Sequence, residues 1–168
     1  MSAPTHKPII DYFESLNKNL KDFPEKSFFR MDLEEITGSF RSGINFPAMV
    51  VESPEGDTEG SSIHSSKVNR RFYFSIYQKC RAGNFDQQNE MLDQCERIGL
   101  KIIARMRYDA RVTGHFLHNK FQSETVKWVK EGPIFTEALY GFQFTGIIAG
   151  DESLKLDAAD WDDIDLTC

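Results

Sequence analysis

The sequence predicts an α+β domain: a mainly antiparallel sheet with a long helix packed on one face and an amphipathic helix at the N-terminal end. In RRFYFSIYQKC, residues 70–80, large apolar side chains recur at every second position, which is the period of a β-strand. Between residues 86 and 108, apolar side chains recur instead at helical spacing. The 168 residues, 40% of them hydrophobic, suffice for one such domain with a core that needs neither disulfides nor a metal.

The first third of the chain predicts two helices and a strand. The first helix begins near Pro8, a residue favoured in a first helical turn, and ends at Phe23 and Pro24. Its apolar stripe consists of Ile9, Phe13, Leu16 and Leu20. A second, short helix is predicted behind Asp32 as N-cap and ends at Gly43. FPAMVVES, residues 46–53, then predicts a strand because it contains a β-branched pair between turn residues.

The middle of the chain predicts a long loop or hairpin tip, the strongest strand and the main helix. Residues 54–69 are rich in Gly, Ser and acids, which indicates a long loop or an extended hairpin tip. Residues 70–80 have aromatic side chains on both faces of the predicted strand. In the main helix, Gly99 interrupts the apolar stripe, so we expect the helix to approach the sheet closely at that point.

The rest of the domain is predicted as strands. Residues 111–121 form a weak candidate, and residues 125–129 form a better one that ends at Glu131-Gly132-Pro133. ALYGFQFTGII, residues 138–148, is the closing strand, with three aromatic side chains on one face. These elements define a single domain over residues 1–150.

Charge separates this domain from an acidic C-terminal peptide, residues 151–168. The net charge of the chain is −6, and the peptide alone has seven acids against one base, Lys155. Residues 1–150 are therefore electrically balanced, which argues against a bulk basic field for nucleic acid.

Three cysteines at unrelated spacings fit neither a disulfide framework nor a zinc site, and they favour a reducing compartment. The first residues lack the pattern of a signal peptide, and no apolar run is as long as a membrane span. We therefore expect no membrane association.

Candidate catalytic and metal-binding residues are few. His115 and His118 would share a face only on a helix, and their surroundings do not predict one, so we expect no shared metal. Cys80 or Cys95 could act as a nucleophile if His64 or His115 lay within reach. Cys95 lies on the apolar stripe, however, which is typical of a core cysteine. The glycines form no phosphate-binding motif, and we expect no cofactor and no enzymatic activity.

Basic residues surround the strongest strand, at Lys67, Arg70, Arg71, Lys79 and Arg81. Interleaved with aromatics, they could bind single-stranded nucleic acid, form a solvated strand end, or receive an acidic peptide. The balanced charge of the domain favours the solvated end over nucleic acid.

The acidic peptide contains spaced apolar residues among its aspartates. This pattern predicts a short docking peptide, and a disordered end is the alternative. The predicted subunit contacts on the strand and peptide are Arg70, Arg71, Tyr73, Tyr77, Lys79, Trp161, Ile164 and Leu166.

The order of these elements resembles the tail-terminator and neck proteins of tailed bacteriophages and related contractile particles. The resemblance spans residues 8–148: the first helix, FPAMVVES, the long loop, RRFYFSIYQKC, the long helix and ALYGFQFTGII. It rests on element order and strand character, and no diagnostic motif supports it. The second short helix and residues 111–121 depart from the family's pattern.

The resemblance implies a structural subunit that forms rings, typically hexameric, between the tail tube and the head-side connector proteins. It implies a place in the virion or phage-tail-like particle, after assembly in the host cytoplasm, and it carries over no catalytic residue. The alternative is a monomeric α+β binding module or small enzyme with a pocket between the long helix and the sheet.

Overall fold

In the part of the chain that the structure describes, six β-strands form one sheet, and two α-helices pack on one of its faces. The structure is a computed structural model that describes residues 3–31, 43–62, 65–81, 83–134, 139–152, 154 and 156–163. The elements in chain order are α1 (His6–Asn19), β1 (Phe28–Met31), β2 (Ala48–Glu52), β3 (Glu55–Ser62), β4 (Ser65–Lys79), α2 (Phe85–Asp109), β5 (Phe121–Ile134), β6 (Leu139–Glu152) and a 3₁₀ turn (Ala158–Asp160). The predicted α+β class is confirmed.

The sheet has the order β1-β2-β4-β6-β5, and β3 pairs with β4 beyond the end of β2. β1 and β2 are parallel, whereas the other pairs are antiparallel. β4 is the longest of the described strands, and its residues 66–79 all pair with β6. This arrangement leaves β5 at one end of the strand order.

The core lies between the helices and the alternating apolar face of β4. The Phe13 ring of α1 lies 5.4 Å from Phe72 and 5.2 Å from Phe74. Phe74 in turn stacks on Phe144 of β6, with ring centroids 5.0 Å apart and planes 4° from parallel. The period-two pattern of residues 70–80 is therefore the core face of the sheet, as predicted.

α2 lies on this face through the apolar stripe that the sequence predicts. Its buried residues are Cys95, Ile98, Gly99, Ile102, Ile103, Met106 and Asp109. A Cβ atom added at Gly99 would lie 2.0 Å from Cζ of Phe144, well inside van der Waals contact. The predicted close approach of helix and sheet at Gly99 is confirmed, and Phe144 is the residue that requires it.

Several sequence predictions need correction, and one lies outside the described residues. Within residues 54–69, β3 pairs with the first part of β4, so for the described residues the hairpin interpretation is confirmed and the long loop is wrong. The predicted strand over residues 111–121 is wrong, because successive turns fill this stretch until β5 begins at Phe121. Left-handed backbone at Gly114 and Asn119 is incompatible with a strand there. The short helix predicted from Asp32 to Gly43 lies almost entirely outside the described residues.

The predicted end of the strand at residues 131–133 also differs. β5 continues to Ile134, with a shift of its register against β6 between Glu131 and Ile134. Gly132 has a positive φ of 109°, which a glycine can adopt at little cost. The break in the sequence pattern thus marks an irregularity within the strand.

Candidate subunit interface

The basic residues predicted to gather at the strongest strand do not form one patch. Lys67 and Lys79 lie twelve residues apart on β4, a distance of about 40 Å at the usual strand rise. Arg71 lies on the same face as these two lysines, whereas Arg70 points to the face that carries the helices, because successive strand residues alternate. A compact peptide-binding surface cannot be built from side chains so dispersed.

The acids of β3 also lie opposite this basic strand. Glu55 pairs in register with Arg71, and Glu59 pairs with Lys67. Between them, Asn69 donates from its Nδ2 to Oδ1 of Asp57 at 2.9 Å. Opposite charges directly across an antiparallel pair attract each other. The hairpin therefore balances its own charges, and an acidic peptide gains little by docking there.

The two tyrosines predicted as contacts both bond to glutamates of the same chain. The Tyr73 hydroxyl donates to Oε2 of Glu55 at 2.9 Å. The Tyr77 hydroxyl donates to Glu131, and the Tyr77 side chain is only 4% exposed. Burial, with the hydrogen bond to Glu131, raises the pKa of Tyr77. Tyr77 consequently has little surface left for a second subunit.

A partly buried polar cluster occupies the sheet face opposite the helices, and the sequence did not predict it. Glu131 of β5 reaches past Gly141 of β6 to β4, where it also accepts from Oγ of Ser75 at 3.1 Å. Glu52 accepts from Nε2 of Gln143 at 2.8 Å. Burial raises the pKa of Glu52, and the nearby Glu131 charge raises it further. The pairing of four strands creates this cluster, so no local motif signals it.

Cys95 and His115, two residues considered for catalysis or metal binding, pack against other residues of the fold. Cys95 is fully buried, and burial raises the pKa of its thiol to about 12, which keeps the sulfur protonated. The His115 ring packs edge-on against Tyr12, with centroids 5.5 Å apart, and its Nδ1 accepts from the Leu117 N–H at 3.2 Å. Within the described part of the chain, no three His, Cys, Asp or Glu side chains are placed to hold a metal ion.

β5, at one end of the strand order, has an exposed stretch that carries large apolar side chains. Lys127, Trp128, Val129 and Lys130 are all exposed, on both faces of the strand. Trp128 lies over Phe144 with centroids 6.0 Å apart, and its Nε1 donates to Oε1 of Glu96 at 2.7 Å. Val129, on the other face, is 58% exposed. This surface was not predicted, because strand order cannot be read from the sequence pattern.

The acidic peptide leaves the end of β6 with its apolar side chains in solvent. Glu152 is held at the end of the strand, where its Oε2 accepts from the Ala3 N–H at 3.0 Å. Beyond it, Leu154, Leu156 and Trp161 are each more than half exposed. Asp157 caps the 3₁₀ turn by accepting from the Ala159 N–H at 3.0 Å. The other two predicted contacts, Ile164 and Leu166, lie outside the described residues.

Comparison with known proteins finds no family model that matches the chain and no curated protein that matches it. Among the helices of the described residues, none is long and apolar enough to cross a membrane.

Proposed function

We propose that this chain is a structural assembly protein: a ring-forming tail-terminator or neck subunit of a phage or phage-tail-like particle. In this proposal its partners are other copies of itself, in a ring that is typically hexameric, and the adjoining tail-tube and connector proteins. It acts within the particle as a scaffold and not as an enzyme.

The observation that carries the proposal concerns two groups among the exposed large apolar side chains. One group lies on the strand β5, at Trp128 and Val129, and the other lies on the acidic peptide, at Leu154, Leu156 and Trp161. Exposed apolar groups beside an unpaired strand edge mark surfaces that associate with other chains. Two different surfaces on one chain suit the head-to-tail contacts from which rings are built.

The assignment to a phage particle rests on the order of elements. α1, β2, β4, α2 and β6 follow one another in the order given for the resemblance, whereas β1, β5 and the hairpin strand β3 in place of a long loop are additions to it. A ring subunit needs rigid elements to hold its contact surfaces in position, and β4, β6 and α2 supply them through the buried core.

Light scattering on the purified full-length chain tests the proposal. An assembly protein gives a mass that is a multiple of 19.3 kDa and rises with concentration. A mass of one chain at every concentration would argue for the alternative, a monomeric binding module or small enzyme.

The polar cluster around Glu52 and Glu131 favours that second candidate, a binding module or small enzyme of unknown substrate. Two carboxyl groups close enough to raise a pKa are the kind of pair that acid–base chemistry uses. The site would lie on the open sheet face, because the space expected between the long helix and the sheet is filled by the contact of Gly99 with Phe144. Glu131→Gln separates the candidates, since it should leave assembly unchanged and abolish any activity of this site.

A further inference from the structure

We infer that the acidic peptide of one copy docks along the exposed edge of β5 on a neighbouring copy, as an added strand. This inference rests on the proposed function, and it names the contact that links one subunit to the next. The docking segment is residues 154–163, and its receptor is the β5 stretch from Lys127 to Lys130.

The first argument concerns the edge itself. β5 is last in the strand order, and among the described residues it pairs only with β6. The backbone N–H and C=O groups on its outer side are therefore available to a strand from another chain. Four consecutive side chains at its centre are exposed, and one of them, Trp128, also contacts Phe144 and Glu96 of its own chain.

The second argument is charge, which favours an acidic segment as the strand that pairs with the outer edge of β5. Lys127 and Lys130 are exposed on opposite faces of β5. Edge lysines are a common defence against pairing of two identical sheet edges. An acidic strand neutralises both lysines instead. Between residues 157 and 163 the peptide has four aspartates and no base.

The third argument is the match between Trp161 and the exposed Trp128. In an extended peptide with Trp161 opposite Trp128, the two indoles share one face of the sheet, and Asp160 and Asp162 lie on the other face, which Lys127 also occupies. The 3₁₀ turn at Ala158–Asp160 must open for this, which is a small change because such turns are short and weakly bonded.

The fourth argument is the length of the peptide, which is too short to bring Trp161 to Trp128 of its own chain. The peptide that docks on β5 therefore comes from a second copy. Trp128 lies across from Phe144, eight residues and about 26 Å back along β6 from Glu152. Trp161 follows Glu152 by nine residues, which extend over at most about 32 Å. The peptide must also reverse direction at the end of the sheet, and that turn uses several residues. Trp161 therefore falls short of Trp128 in its own chain.

A charge-swap experiment on full-length protein tests the inference by sedimentation at low salt. The receptor variant is Lys127→Glu with Lys130→Glu, and the peptide variant is Asp160→Lys with Asp162→Lys. Each should weaken association about tenfold or more, and combining the four changes in one chain should restore it, because the attraction is re-formed with reversed signs. Lys21→Glu with Arg111→Glu, two exposed cations outside β5, is the matched control and should assemble like the wild type.

The outcomes separate this inference from the proposed function. A wild-type chain that stays monomeric at all concentrations overturns both. If the wild-type chain assembles and both charge-swap variants associate equally well, the inference alone is overturned. The same holds if the receptor variant loses association and the combined variant does not restore it. Circular dichroism of each variant checks the fold, and Lys127→Ser with Lys130→Ser replaces the receptor variant if the glutamates prevent folding.

Discussion

The Tyr12 hydroxyl donates to Oδ2 of Asp109 at 2.7 Å and so joins α1 to the end of α2 across 97 residues of sequence. Asp109 is buried, and both of its oxygens also accept from Nε of Arg105 at 2.9 Å. A buried carboxylate is tolerated only when its oxygens are bonded in this way. The two helices that cover the sheet are thus fixed to each other by a polar contact as well as by the core.

Tyr12→Phe should destabilise the fold by about 1–3 kcal/mol, because it removes one donor from a buried carboxylate and leaves the ring in place. Chemical denaturation measures the change in the free energy of unfolding. Tyr108→Phe is the matched control, since Tyr108 is an exposed tyrosine of α2, and it should have no measurable effect. Equal stability of both variants would show that the contact to Asp109 contributes nothing.

Alkaline pH should reveal the same contact. Burial raises the pKa of Tyr12, and the bond to Asp109 raises it further, so the folded state holds the phenol proton more tightly than the unfolded state. The stabilisation is complete below the unfolded pKa of about 10 and is lost as pH rises above it. The decline of stability above pH 10 should therefore be less steep in Tyr12→Phe than in the wild type. If stability falls equally steeply above pH 10 in Tyr12→Phe and in the wild type, the raised pKa of Tyr12 is contradicted.

Gly99→Ala should destabilise the protein by about 1–3 kcal/mol even though alanine is the better helix former. The added methyl group would overlap the ring of Phe144, and both elements are held by the core. Thermal melting is the measurement. Ala104→Gly, at an exposed position of the same helix, should cost about 1 kcal/mol from helix propensity alone. A more stable Gly99→Ala variant would mean that the helix can shift away from the sheet.

Much of the fold could be predicted because its signals are local. The alternation of residues 70–80 and the stripe of α2 each reflect one element packed on one core, and Gly99 marks their closest approach. The turns of residues 111–120 were misread, because Leu117 is fully buried there without any strand pattern around it.

The site was harder to predict, because it depends on which strands become neighbours. Glu131 meets Ser75 and Tyr77 only because β5, β6 and β4 lie side by side with Gly141 between them. The basic residues of β4 looked like a cluster in the sequence, but a strand spreads them out and β3 brings acids against them. The exposure of Trp128 follows from the edge position of its strand, which no local pattern encodes.

Ile102→Asp should cost several kcal/mol and unfold a marginal domain, because Ile102 is fully buried in the core and the new carboxylate would have no partner there. Leu100→Asp is the matched control on the same helix, since Leu100 is 42% exposed, and it should change the melting temperature little. Similar melting temperatures for the two variants would contradict the orientation of α2.

Trp161→Ala should lower the assembled fraction much more than Asp157→Asn. Burial of a large aromatic side chain contributes about 2–3 kcal/mol, whereas one exposed charge contributes less and mainly at low salt. Sedimentation at matched concentrations is the measurement. Phe85→Ala, another exposed aromatic residue, is the control and should assemble like the wild type. Deleting residues 157–168 should likewise leave the fold intact and reduce assembly, and full assembly of this truncated chain would make the peptide a solvated end.

Electron microscopy of the assembled full-length protein tests the central claim most directly. The proposal predicts closed rings with a central opening and one rotational symmetry, expected to be six-fold, that appear as the concentration rises. Particles that remain at the size of a single 19.3 kDa chain, or that associate without forming closed rings, would contradict a ring-forming subunit.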